Sequence, residues 1–271
     1  MSRLHPAAGL GRMPGPECIV FLAHHTEPGA MTALAKLVEE CGADFTMVPV
    51  FDQTRKSFSV SHVPNARVVH WKQLTRQLPY PEKHREHRGT FWPRNIEMPL
   101  MGFFLENPQY AHYWLMEYDV RFTGHWKDFF AHFAGNRSDL LATTIFDYDF
   151  RPGWDNWKTL RAPRSIPEQE RVRALLSFCR LSNAALQTVH RAYRDGWSGH
   201  YEVTIPTILK TQGLAIEDFG GGGRYVAPGN HGRFYRNSPE IGGLAPGTFT
   251  VTPNAISDEY PPNLLWHPIK G

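Results

Sequence analysis

A single α/β domain, with a mainly parallel sheet flanked by helices, is the fold the sequence predicts, and three observations carry it. Residues 18–23 form a continuous apolar run, residues 31–38 place apolar side chains at helical spacing, and residues 45–51 resume an apolar run, which is the order of a β-α-β unit. Residues 113–116 form another apolar strand, and it ends on two carboxylates, Glu117 and Asp119. No repeat, coiled coil, low-complexity tract or clear linker divides the 271 residues, a length that buries one large core.

The first strand breaks at His24-His25-Thr26-Glu27-Pro28-Gly29, and Met31, Leu34, Ala35, Leu37 and Val38 then recur on one helical face until Gly42. Parallel strands joined this way need helices on both faces of the sheet. A third short strand is expected over residues 66–71. Residues 79–93 are Pro-rich and carry His84, Arg85, His87 and Arg88, so they read as an irregular excursion. Residues 95–106 regain helical spacing before the strand at Tyr113. Residues 124–133 read as an amphipathic helix with Trp126, Phe129, Phe130 and Phe133 on one side, and residues 139–145 as a further buried strand.

The second half differs in character. Residues 146–166 are rich in Trp, Pro, Arg and Asp, and a loop of that length in a compact domain is usually functional. Ser182 is placed to cap a helix running through Arg194, and residues 202–211 read as another helix. Residues 214–219 read as a strand, followed by four glycines, Gly220 to Gly223, and turn residues as far as Gly243.

Composition limits the function classes. With 41% hydrophobic and 20% charged residues the chain reads as a soluble globular protein, and a net charge of +3 without a dense Lys/Arg run argues against a nucleic-acid partner. Cys18, Cys41 and Cys179 lack C-x-x-C spacing and read as reduced packing residues, which points to a cytoplasmic location. Residues 1–16 read as a flexible tail, not a signal peptide. No apolar stretch reaches the roughly 20 residues of a transmembrane segment, which leaves peripheral membrane contact open.

Ligands of open α/β sheets bind outside the carboxyl ends of the strands. Side chains two apart on a strand share a face, so Glu117 and Asp119 can present their carboxylates together, and such oxygens suit Mg²⁺ or Mn²⁺ bridging substrate phosphates. A plainer role is a strand end whose acids cap the next turn or pair with Arg121. Asp147 and Asp149 repeat the spacing after another strand and compete as a cation site, their plain role being a solvated loop. His24, His25 and Thr26 follow the first strand, and the helix starting near Gly29 would turn free backbone N–H groups toward an anion or a base. No G-x-G-x-x-G, Walker or His-Glu-x-x-His sequence occurs, which disfavours a Rossmann dehydrogenase, a P-loop enzyme and a zinc hydrolase. Trp92, Trp154, Trp157 and Trp197 are loop aromatics that could stack on sugars, although most Trp residues simply pack.

The stretch Tyr113-Trp114-Leu115-Met116-Glu117-Tyr118-Asp119-Val120-Arg121-Phe122-Thr123-Gly124-His125-Trp126 resembles the W-x-x-E-Y-D-V-R-F-x-G segment of a poorly characterised group of bacterial and fungal glycosyltransferase-like proteins. Gly199-His200-Tyr201-Glu202-Val203 extends the match. The opening β-α unit, the acid-x-acid triplet and a late His stand in the order found in nucleotide-sugar glycosyltransferases of the GT-A fold. This resemblance implies a GT-A-like, Rossmann-like domain over residues 17–271, with a nucleotide-binding half over 17–145 and an acceptor half over 146–271.

The resemblance also implies transfer of a sugar from a nucleotide-diphosphate donor to a hydroxyl of a glycan or other acceptor, with a divalent cation, Mn or Mg, as cofactor. Glu117 and Asp119 then stand where such folds carry Asp-x-Asp. The Glu in first position departs from the pattern, and Asp119 is the better ligand. His267 completes the metal set, Lys270 neutralises the diphosphate, and His24, His25 and Thr26 lie on the nucleotide side. Glu202, presented by a Gly-containing turn at the start of an apolar helix, is the expected base for the acceptor hydroxyl, which favours inversion. Its plain role is an acid favoured by the helix dipole. Two alternatives stay open: a metal-independent transferase in which Lys270 and Arg233 neutralise the diphosphate, and a noncatalytic carbohydrate-binding protein.

Overall fold

The computed structural model describes residues 15–86, 95–237, 248–249 and 260–270. Among these, seven strands form one sheet: β1 (Glu17–Ala23), β2 (Thr46–Asp52), β3 (Arg67–Val69), β4 (His112–Glu117), β6 (Leu140–Asp147), β7 (Val172–Ser182) and β8 (Ile216–Asp218). Their spatial order is β3-β2-β1-β4-β7-β6-β8. All pairings are parallel except those of β7, which runs antiparallel to β4 on one side and β6 on the other. Two further short strands, β5 (Arg121–Phe122) and β9 (Leu265–Trp266), pair antiparallel apart from this sheet.

Strand alternation divides the core into two layers. On β1, Cys18, Val20 and Leu22 face one way with Tyr113 and Leu115 of β4. This layer is covered by α4 (Glu97–Glu106), α6 (Asn183–Arg194) and α7 (Tyr201–Thr211). Ile19, Phe21 and Ala23 face the other way with Trp114 and Met116, beneath α1 (Pro28–Cys41) and α5 (Trp126–Phe133). Trp114 is 1% exposed and stacks on Phe178 at 5.6 Å and Phe219 at 5.9 Å. Truncating such a side chain costs about 3–5 kcal/mol. The mainly parallel, helix-flanked single domain predicted from sequence is therefore the fold observed.

Several local expectations change. Trp71, expected to close a strand, begins α2 (Trp71–Gln77), because the strand is only three residues long. Within the expected irregular excursion lies α3 (Pro81–Glu86); Pro81 opens it at a position where a missing N–H costs nothing. Residues 87–93 of that excursion fall outside the described residues, as do residues 1–14 of the expected tail. Pro16 is docked, its carbonyl accepting from the Ala111 N–H at 2.8 Å.

The strand that sequence reading passed over is β7. It carries Arg173 and Arg180, 3% and 0% exposed, in the centre of the sheet. The Arg180 terminal nitrogens donate to the carbonyls of Phe133, Asn136 and Ser138 and to Asn136 Oδ1. At the end of β7, Ser182 caps α6 as expected, its Oγ accepting from the Ala185 N–H at 3.0 Å while donating to Asp139 at 2.6 Å.

Candidate functional site

The strand alternation that was to align Glu117 and Asp119 stops one residue early. β4 ends at Glu117, and a turn closed by Val120 N–H to Glu117 O at 3.1 Å carries Tyr118 and Asp119. Tyr118 N–H still donates to Leu22 O at 2.9 Å, extending the parallel ladder. Arg121 does not pair with these acids. Its guanidinium donates to the carbonyls of Tyr118 at 2.6 Å, Val120 at 3.0 Å and Gly29 at 2.8 Å, tying the turn to the start of α1.

Pairing of β9 with β5 brings residues 267–270 alongside this turn, and Ile269 N–H donates to Asp119 O at 2.8 Å. Glu117, Asp119 and His267 thereby converge, with ligand atoms all within 4.8 Å of one another. His267 Nε2 faces Asp119 Oδ1 at 3.5 Å. Lys270 Nζ lies 2.5 Å from Asp119 Oδ2 and 3.1 Å from the Tyr118 hydroxyl. His24 and His25 meet the Tyr118 ring edge-on, with centroids 4.9 and 4.4 Å away, and Thr26 follows half-buried in the same loop. Residues from three distant parts of the chain thus share one end of the sheet.

The electrostatics reflect burial. Glu117 is 5% exposed, and burial pushes its carboxyl well above the usual range; Asp119 adds to the rise and a hydrogen bond with Ser177 opposes it. Burial lowers His267 despite the pull of Asp119, so its imidazole is neutral near pH 7 and available as a ligand. His24 and His25 are also lowered by burial. For Lys270, burial disfavours the ammonium, but the hydrogen bond and charge of Asp119 win and raise its pKa. The Asp119 and Glu117 carboxyl groups, the latter giving up its proton on binding, and a neutral imidazole are a donor set that fits Mn²⁺ or Mg²⁺. Asp119 Oδ1 in particular is buried with no hydrogen-bond donor among the described residues.

Glu202 lies in the first turn of α7, 13% exposed, with its N–H directed to His200 Nδ1 at 3.4 Å. The turn before it requires glycine. Gly199 has φ +119°, and a Cβ there would stand 2.5 Å from the Thr159 carbonyl oxygen. Burial pushes the Glu202 carboxyl up to about 7, against the opposing pull of Arg173 and a hydrogen bond from the Leu176 backbone. Glu202 is near enough to Glu117 for its charge to add to that residue's upward shift.

Three features of this region escaped sequence reading. Ser177 and Arg173 project from the unforeseen β7. The Arg173 guanidinium sits over Trp154 at 4.9 Å and Phe146 at 5.8 Å, and its Nη1 is buried without a hydrogen-bond partner among the described residues. Beneath the Gly199 turn, Lys83 and Glu97 form an ion pair of 2.7 Å, 0% and 1% exposed, and Lys83 also donates to Gly199 O at 2.5 Å. A polar residue inside an otherwise apolar run was the only signal for Arg173 and Ser177.

The competing acids behave differently. Asp147 accepts from Lys210 at 2.9 Å and Tyr225 at 2.8 Å and pairs with Arg224 at 2.6 Å, while Asp149 is exposed. Arg233 is exposed and lies over its neighbour Phe234.

Among known proteins, the family described as "Protein of unknown function (DUF3405)" matches residues 52–139, less than half of the chain. No curated protein sequence matches. Similar solved structures include mouse xyloside xylosyltransferase 1, with 13% identity, TM-score 0.39, and coverage of 73% of this chain and 81% of that one. Another is the mannosyltransferase Ktr4p of S. cerevisiae, with 10% identity, TM-score 0.38, and coverage of 76% and 70%. Likenesses this distant say nothing of the activity of this chain. No described helix is long and apolar enough to cross a membrane.

Proposed function

We propose that the chain is a nucleotide-sugar glycosyltransferase that moves a sugar from a nucleotide-diphosphate donor to a hydroxyl of a glycan or other acceptor. The observation that carries this reading is the convergence of Glu117, Asp119 and His267 at the carboxyl end of a parallel strand, with Lys270 on one side and Glu202 near enough for its charge to act on Glu117. Asp119 and His267, with Glu117 behind them, would hold a divalent cation. Such a cation, when bound, supplies positive charge to the diphosphate as it leaves.

Lys270 is placed to follow that charge, exchanging its contact with Asp119 for a phosphate oxygen. The loop of His24, His25 and Thr26 borders Tyr118 and forms the nucleotide side. Glu202 accepts the acceptor's hydroxyl proton as the new glycosidic bond forms, a role suited to a carboxyl held near 7. A single carboxyl base of this kind fits inversion at the anomeric carbon.

One observation favours a metal-independent variant. Lys270 already neutralises an oxygen of Asp119 at 2.5 Å, and an ammonium in that place can serve the diphosphate by itself. Calorimetric titration of UDP and GDP with and without Mn²⁺ separates the two. Binding that tightens tenfold or more with Mn²⁺ supports the cation site; equal binding supports Lys270 alone. Absence of binding to any nucleotide diphosphate under both conditions overturns the transferase reading.

A further inference from the structure

A cavity of about 350 Å³ opens on the acceptor half, away from the cluster around Asp119. Lys158, Arg161, Arg164 and Arg171 line it together with the half-buried Leu160 and Ala162 and the buried Trp157 and Ile166, and no carboxylate is among its lining residues. Four cations around one hollow repel one another, so something must hold them there. Neutral carbonyls do much of this. Arg161 donates to Lys158 O at 2.6 Å and Leu160 O at 3.0 Å, and Arg171 donates twice to Ile166 O, at 3.1 and 3.0 Å.

Carbonyl anchoring fixes a guanidinium in place without cancelling its charge. The carboxylates near the rim are Asp155, 3.1 Å from Lys158, and Glu170, 3.4 Å from Arg164. Both pairs are exposed, and such pairs contribute little. Among the described residues, no carboxylate pairs with Arg161 or Arg171.

We infer that this cavity binds an anionic saccharide unit, carrying a carboxylate or a sulfate, of the acceptor glycan. The half-buried Leu160 and Ala162 leave apolar surface between the cations that suits the C–H face of a pyranose, and a bare phosphate would leave it unused. The fixed guanidinium groups suit a carboxylate or sulfate. A nucleic acid needs a longer basic track than one hollow in a chain of net charge +3. The location matches an acceptor. Arg161 exchanges two backbone hydrogen bonds of 3.0 Å with Ser198, and Thr159 Oγ1 accepts from His200 N–H at 2.9 Å, so the cavity wall adjoins the turn that carries Glu202.

The inference rests on the transferase reading for its use, but not for its test. Calorimetry on the full chain compares a heparin-derived tetrasaccharide, a tetragalacturonate, neutral maltotetraose and a short DNA duplex. At least one acidic tetrasaccharide is expected to bind at least tenfold tighter than maltotetraose; binding of the tetragalacturonate shows that carboxylates suffice, and binding of the heparin fragment alone points to sulfate. The double variant Arg161→Gln/Arg164→Gln is expected to lose that tenfold, while Arg161→Lys/Arg164→Lys retains most of it. Should the Gln pair melt below the wild type, Lys158→Gln, at an exposed position, takes its place.

The inference is overturned if neither acid outbinds maltotetraose, if the charge-removing variant binds as the wild type does, or if DNA binds tighter than both acids. UDP titrated into the same preparations keeps the two readings apart. Lost acid binding with UDP binding intact defeats this inference alone, whereas acid binding without any nucleotide binding defeats the transferase reading alone.

Discussion

Two strands of this sheet end in the same acid-x-acid spacing, and they meet opposite fates. At the end of β4, Glu117 and Asp119 are buried, share their space with a neutral His267, and leave Asp119 Oδ1 without a donor among the described residues. At the end of β6, Asp147 is saturated by Lys210, Arg224 and Tyr225, and Asp149 points to solvent. The lesson is that spacing alone does not make a site. What the rest of the chain delivers to the acids decides whether they can bind a ligand or merely finish a strand.

The comparison breaks most sharply at its first member. Asp119→Asn is expected to lower sugar-nucleotide turnover about a thousandfold, whereas Asp147→Asn leaves it within a few-fold, as measured by steady-state kinetics. Equal losses in the two variants would remove the distinction between the two strand ends. Glu202→Gln is expected to cost about a hundredfold or more in kcat while leaving nucleotide binding unchanged. The wild type should gain activity as pH rises through about 7, because the base acts as a carboxylate, and the variant should lose that limb.

Stability supplies an independent reading of Glu202. A folded-state pKa raised to about 7 from the ordinary 4.5 means that stability present at low pH is lost as pH rises through 7. Glu202→Gln does not ionise, so it should melt above the wild type at pH 8, by on the order of 3 kcal/mol, and match it near pH 4. A wild type that is no less stable at pH 8 than its variant would disprove the upward shift.

Smaller effects sharpen the contrast between cations. Lys270→Met is expected to weaken nucleotide-diphosphate affinity about tenfold, read by calorimetry, with little change in melting temperature because the ammonium is more than half exposed. Lys210→Met removes one of three partners from Asp147 and should cost about 1 kcal/mol, visible as a fall of about 2–4 °C with turnover unchanged.

Much of the fold was legible because its strands are buried on both faces and read as unbroken apolar runs, as in residues 18–23 and 113–116. Ser182 announced its helix through the capping chemistry that it in fact performs. What stayed hidden was hidden by polarity. β7 is a central strand that holds two arginines and a serine facing Glu117, and α3 begins with a proline that reads as a breaker. For the site, the acids of residues 117 and 119 were visible as a pair, but the turn that aligns them was not. Lys270 stands 151 positions from Asp119, and the two-residue pairing of β5 with β9, with a few single hydrogen bonds beside it, brings them together. A contact that depends on so short a ladder leaves almost no periodic trace.

The glycine at position 199 has a mechanical meaning. Its carbonyl accepts from Lys83, the Thr159 carbonyl occupies the space a Cβ would need, and the flanking Ser198 and His200 are hydrogen-bonded to Arg161 and Thr159. The loop around residues 157–161 and the turn leading into α7 are therefore tied directly to one another. A loop exchanged from another protein would meet the turn that presents Glu202 with different partners, and the setting of the base would change along with any new specificity.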